Sequence, residues 1–96
     1  MNTTAQNMVG RTGKAIPNQI EIFTPEGKFF QSYGTVIAKI GPYRETSHLS
    51  GWEITLDPKW DYSTTTSKYL FQFLRMKRAE IEAKIKSGEI KIADLN

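Results

Sequence analysis

The side chains that could do chemistry are few in this 96-residue chain, and their spacing favours binding over catalysis. Cys is absent, which removes thiolate nucleophiles, disulfides and thiolate metal sites. His48 is the only histidine, and no spacing to a Ser or Asp supports a catalytic pair. Asp57 and Asp61 stand four residues apart, but two carboxylates without further oxygen ligands make a poor cation site. We therefore expect a protein that is not an enzyme and has no metal or cofactor.

One polar segment, residues 60–69, could instead bind an anion where a helix is predicted to begin. Backbone amides at a helix N-terminus attract phosphate, and the neighbouring aromatic rings could stack on a base. The candidate anion-binding residues are Ser63, Thr64, Thr65 and Lys68. The same hydroxyl groups are also ordinary helix caps, and Asp61 would repel a phosphate. The segment therefore predicts either a helix cap or a nucleotide site.

Positive charge is concentrated in the second half of the chain. Residues 1–58 hold five Lys and Arg against five Asp and Glu, whereas residues 59–96 hold eight against five. This excess favours an anionic partner, although a solvated helix face has the same composition. A long loop predicted at 41–51 adds aromatic and basic residues of the kind that interfaces favour. The candidate partner-binding residues are Tyr43, Arg44, His48, Lys68, Arg75, Arg78 and Lys86.

Alternating apolar residues before Pro58 predict an antiparallel sheet. Four segments are rich in β-branched and aromatic residues and are separated by turn residues or the long loop: 19–24, 29–33, 35–40 and 52–56. In the last segment, Trp52, Ile54 and Leu56 share one face, which we expect to cover the helix. Residues 1–17 show neither period and are predicted to form a flexible N-terminal arm, followed by a single domain over 18–96.

A helical period begins at Ser63. The apolar stripe of this region consists of Leu70, Phe73, Leu74, Ile81 and Ile85. Lys77 falls on the same stripe, which indicates either a snorkelling lysine or a break near Met76 between two helices. Ile90–Ile92 alternates and could add an edge strand. The predicted fold class is α+β, a small antiparallel sheet of three to five strands packed on one long or two short C-terminal helices.

Several blocks of the sequence, among them Phe30–Tyr33, Ile37–Ile40 and Trp60–Tyr69, resemble a family of small uncharacterised phage and mobile-element proteins of bacteria. The similarity covers roughly residues 19–96, and the Trp-Asp-Tyr-Ser-x-Thr-Thr block is its most specific part. Relatives tend to carry a Gly-containing break where this chain has Arg75-Met76. The resemblance implies a phage accessory protein that binds and inhibits a host protein complex, such as an anti-CRISPR or other anti-defence inhibitor.

Two alternatives involve nucleic acid or nucleotides. The helical period places Lys68, Arg75 and Lys86 on one basic helix face, which could bind nucleic acid although Glu82 interrupts it. The Ser63–Lys68 helix N-terminus could sequester a nucleotide. The apolar runs fall far short of the ~20 residues that span a bilayer. Residues 1–17 also lack the apolar core of a secretory signal. We therefore expect no membrane partner and a location in the cytoplasm of the host bacterial cell.

Overall fold

A computed structural model describes residues 3–45 and 50–96. Within these residues the strands lie in sequential order in one sheet: β1 (Thr4–Val9), β2 (Ala15–Thr24), β3 (Gly27–Ser32), β4 (Thr35–Glu45), β5 (Ser50–Leu56) and β6 (Ile90–Ile92). Neighbouring strands are antiparallel except β5 and β6, which are parallel. Helices α1 (Thr64–Leu74) and α2 (Arg78–Ser87) form the crossover that a parallel pair requires. The predicted α+β class is confirmed.

The predicted count of three to five strands is too low, because the structure has six strands in the described residues. Residues predicted as a flexible arm contain β1 and the start of β2, joined by a turn in which the Gly10 amide donates to the Lys14 carbonyl at 3.0 Å. Met8 is only 1% exposed and belongs to the core. The other residues of β1 are exposed, so the strand has no apolar alternation that the sequence could reveal.

The predicted loop at 41–51 is wrong over most of its length. Strands β4 and β5 extend into it from either side and pair there, with Tyr43 opposite Trp52. Pro42, which has no amide hydrogen to donate to the ladder, lies at a register shift within β4. Turn-forming residues therefore mark an irregularity inside a strand and not its end.

Buried residues from the sheet and both helices form one apolar cluster. Its fully buried or nearly buried members are Met8, Phe30, Ile37, Ala38, Leu56, Leu70, Phe73, Leu74, Ile81 and Ile90. The rings of Phe30 and Phe73 stack with their centroids 5.7 Å apart, which joins β3 to α1. Four of the five residues in the predicted helical stripe are buried and the fifth, Ile85, is partly buried. That prediction is confirmed.

The helical region breaks at Arg75. Its backbone is left-handed, with φ 58° and ψ 42°, and the Met76 amide donates to the Phe71 carbonyl at 3.2 Å. Lys77 then has the extended backbone of an N-cap for α2, with φ −88° and ψ 162°. The alternative of two helices is therefore the correct one, and Lys77 lies on no helical stripe because it belongs to neither helix.

Asp57 holds the segment that follows β6. Its carboxylate, 2% exposed, accepts hydrogen bonds from the Leu95 amide at 2.9 Å, the Asn96 side-chain amide at 3.0 Å and the Lys59 amide at 3.0 Å. Burial alone would raise the pKa of this carboxyl, but these hydrogen bonds outweigh burial and bring the pKa below its ordinary value.

Candidate functional site

The predicted basic residues do not form one surface. Lys68 and Arg78 line a groove of about 530 Å³ beside the start of α1, whereas Arg75 lines another groove of about 610 Å³ beside the end of α1. Lys86 is exposed in the last turn of α2 and lines neither groove. The predicted basic residues are separated because the left-handed Arg75 ends α1 and interrupts the helical period between them. We call the two sites the Asp61 groove and the Trp52 groove, after one lining residue of each.

The Asp61 groove contains most of the predicted anion-binding residues. Ser63, Thr64 and Lys68 line it, whereas Thr65 is exposed and is not part of the lining. The Ser63 hydroxyl accepts a hydrogen bond from the Thr66 amide at 3.1 Å, which is the bond of a helix N-cap. The capping role is thereby confirmed, and one of the first-turn amides is already bonded.

One of the two cations in the Asp61 groove, Arg78, is already paired with carboxylates. A guanidinium nitrogen of Arg78 lies 2.7 Å from the Asp61 carboxylate, and another lies 3.8 Å from Glu82. The hydrogen bond from Arg78 is the main reason why the pKa of Asp61 is lowered; burial opposes this shift, and a bond from Ser67 assists it. The same ion pair raises the pKa of Arg78. A phosphate in this groove would have to compete with Asp61 for Arg78.

The guanidinium of Arg78 also contacts two aromatic rings. Its central carbon lies 5.5 Å from the ring centre of Trp60 and 5.4 Å from that of Phe71. Cation–π contacts of this kind hold a guanidinium in place. Arg78 therefore joins the start of α2 to the segment before α1 and to Phe71 within α1, a structural role that its sequence position did not reveal.

The Trp52 groove has an apolar floor and a basic rim. Ile40, Phe73 and Leu74 contribute to its lining, and Trp52 is 57% exposed there. The cations are Arg75 and Lys28, whose ammonium lies 5.2 Å from the Phe73 ring centre. No carboxylate lines this groove, and within residues 3–45 and 50–96 neither cation forms an ion pair.

Trp52 is the residue that sequence reasoning misplaced. The alternation in β5 predicted that Trp52, Ile54 and Leu56 would all lie under the helix. Leu56 is fully buried and Ile54 is partly buried, but Trp52 is mostly exposed. Trp52 lies by the end of α1, since it lines the groove together with Leu74 and Arg75. Alternation identifies a shared face, but it does not show how far a helix covers that face.

Two of the remaining predicted residues, Tyr43 and Arg44, lie in the described part of the β4–β5 pair. The backbone of Tyr43 and Arg44 belongs to β4 and pairs with β5, while His48 lies outside the described residues. Among residues 3–45 and 50–96, no group of three or more His, Asp or Glu side chains is placed to hold a metal ion. Neither of the helices described here is long and apolar enough to cross a bilayer.

The molecule is thus a small α+β domain in which a meandering sheet packs on two helices and two grooves flank the first helix. The chain belongs to a family of unknown function (DUF8033), whose model matches residues 3–90. No curated protein and no solved structure matches the chain. Membership of an uncharacterised family agrees with the resemblance found in the sequence, and the match includes β1.

Proposed function

We propose that this protein is a non-enzymatic, phage-type accessory protein that binds and inhibits a host protein complex. Its site of action would be the bacterial cytoplasm, and its target a defence system, as for an anti-CRISPR protein. The observation that supports protein binding best is the Trp52 groove, where an exposed Trp lies beside Arg75. Trp and Arg are the residue types that most often dominate interface energies. Arg75 is also one of the candidate partner-binding residues predicted from the sequence.

The proposal is tested by the relief of immunity in cells that carry a defence system. We expect co-expression of the protein to restore infection by a phage that the system otherwise blocks. Trp52→Ala and Arg75→Ala should abolish this effect. Tyr62→Ala is the matched control, because Tyr62 is 53% exposed but lines the Asp61 groove. Failure to relieve any system in a panel, together with no host protein retained on the immobilised protein, would contradict the proposal.

Nucleotide or nucleic-acid binding in the Asp61 groove is the second candidate. It is favoured by one observation, namely that Ser63, Thr64 and Lys68 line the same groove at the start of α1. Asp61 in that lining reduces the positive potential, so we rank this function below protein binding. Thermal shifts with cyclic and linear nucleotides and mobility shifts with labelled oligonucleotides test it. Binding that Lys68→Glu removes would support it, and no shift even at low salt would exclude it.

A further inference from the structure

The two grooves differ in how many of their cations have an acidic partner. In the Asp61 groove, Arg78 already pairs with Asp61 at 2.7 Å, and Lys68 is the one lining cation without an ion pair among the described residues. In the Trp52 groove, Lys28 and Arg75 both lack an ion pair there, and no carboxylate is in the lining. Opposite charges across an interface favour association and its specificity. The Trp52 groove therefore complements a negatively charged partner better than the Asp61 groove does.

The floor of the Trp52 groove distinguishes a peptide from a nucleic acid. Phe73 and Leu74 lie at its base, 5% and 7% exposed, so only a small part of each is available to a ligand. Trp52 is the lining ring with most of its surface exposed. Single-stranded nucleic acids are bound by several stacking rings and by a series of phosphate contacts. Two cations and one well-exposed ring fit a peptide with apolar and acidic side chains better.

The backbone of Arg75 is also unusual for its residue type. A left-handed residue at a helix end is usually Gly or Asn, because a Cβ is unfavourable there. Arg75 adopts this conformation, with φ 58°. Among the described residues Asn18 and Tyr33 are left-handed too, but only Arg75 of the three lines one of the two grooves.

We propose that the Trp52 groove binds an acidic peptide segment of the partner protein. Apolar side chains of the segment pack on Trp52 and the groove floor, and its Asp or Glu side chains pair with Lys28 and Arg75. This inference rests on the proposed protein-binding function and adds the chemistry of the partner. It identifies Trp52 and Lys28 as binding residues in addition to Arg75.

Selection of random linear peptides on the purified protein tests this inference without a known partner. We expect the selected peptides to be enriched in Asp and Glu next to Leu, Phe or Trp. A selected peptide, labelled with a fluorophore, is then titrated against wild-type protein and variants by fluorescence anisotropy. Trp52→Ala and Arg75→Gly should each weaken binding by about tenfold or more, as expected for hot-spot residues. Lys14→Gln, which removes an exposed cation that lines neither groove, should leave binding unchanged.

Trp52 also gives a direct spectroscopic readout. In a Trp60→Phe background Trp52 is the only indole, and it is 57% exposed in the free protein. Peptide binding should shift its fluorescence emission to shorter wavelength. Urea unfolding of Arg75→Gly serves as the folding control, because this variant should be at least as stable as wild type. Its loss of binding would then reflect the missing guanidinium.

The inference is wrong if the selection enriches no peptides, or enriches basic or neutral ones. It is also wrong if both groove variants bind the selected peptide with wild-type affinity, or if a labelled oligonucleotide binds through Trp52 while peptides do not. The inference and the proposed function can fail separately. If Trp52→Ala and Arg75→Gly still relieve host immunity, the function stands and the groove assignment is wrong. If acidic peptides bind in the groove but no defence system is relieved, the groove assignment stands and the anti-defence function is wrong.

Discussion

Arg75→Gly should stabilise the fold, although it removes a long side chain. The left-handed backbone at this position costs a residue with a Cβ about 1–2 kcal/mol. Glycine avoids that cost but loses roughly 0.5–1 kcal/mol through the greater freedom of the unfolded chain. Within the described residues Arg75 forms no ion pair that would be lost. The net gain is centred on about 0.75 kcal/mol (range about 0–1.5), which for a domain of this size raises Tm by roughly 3–6 °C at the central value.

Urea unfolding followed by tryptophan fluorescence measures this gain, and Arg75→Ala is its matched control. Alanine removes the guanidinium but keeps the Cβ, so the backbone strain should persist. We expect the glycine variant to exceed the alanine variant in free energy of unfolding by about 1 kcal/mol. Equal stability of the two variants would refute the argument, because the left-handed backbone would then carry no measurable cost.

Three further predictions concern buried positions and are checked by urea unfolding. Asp57→Asn should reduce the free energy of unfolding by about 2 kcal/mol at neutral pH. Because the folded-state pKa of Asp57 is lowered, the stability of the wild type should fall as the pH drops from about 5 to 2. An equally steep fall in the variant would contradict this role of the Asp57 carboxylate. Gly41→Ala should lower the free energy of unfolding by about 3 kcal/mol or more, because the added Cβ would meet the backbone of Gly27. Gly34 is also left-handed but faces open space, so Gly34→Ala should lower it by only about 1 kcal/mol. Equal losses of stability in the two variants would contradict the steric argument. Gln19→Leu should stabilise by about 1 kcal/mol, because within the described residues the buried Gln19 amide has no hydrogen-bond partner, and a loss of stability would show that this amide is satisfied.

The helical part of the fold could be predicted because its signals are local. The Ser63 hydroxyl caps α1 by accepting a hydrogen bond from the Thr66 amide, only three residues later. The apolar stripe likewise repeats within each helix. Gly88 ends α2 in the left-handed conformation typical of glycine. The break at Arg75 is the exception: Arg adopts there a conformation for which its side chain has no preference. The pattern could therefore indicate a break near Met76 only as an alternative.

The sheet was predicted less well because its edge strand depends on a neighbour. β1 exists through its pairing with β2 and the burial of one residue, Met8, and neither leaves a period in the sequence. The 41–51 segment shows the same limit, since a Pro within a strand reads as a loop unless the register of the partner strand is known. Pairing between strands is a tertiary property, and single residues do not encode it locally.

The candidate site shows the same division between local and distant contacts. Ser63, Thr64 and Lys68 were predicted to lie together because they are neighbours within two turns of chain. The groove that Trp52 and Arg75 share depends on how the end of α1 lies relative to β5, and no spacing in the sequence determines that arrangement.

The net charge of +3 does not decide which surface attracts an acidic partner. Lys68 and Arg78 give the Asp61 groove as many cations as the Trp52 groove, but Asp61 lies in its lining and pairs with Arg78. A ligand carboxylate there would find only Lys68 without an ion pair, because Arg78 is already paired, and it would be repelled by Asp61. In the Trp52 groove it would meet two cations that lack such partners in the described part of the chain, and no carboxylate. The pairing of charges within the fold, and not their number, is therefore the reason why we propose the Trp52 groove as the binding surface.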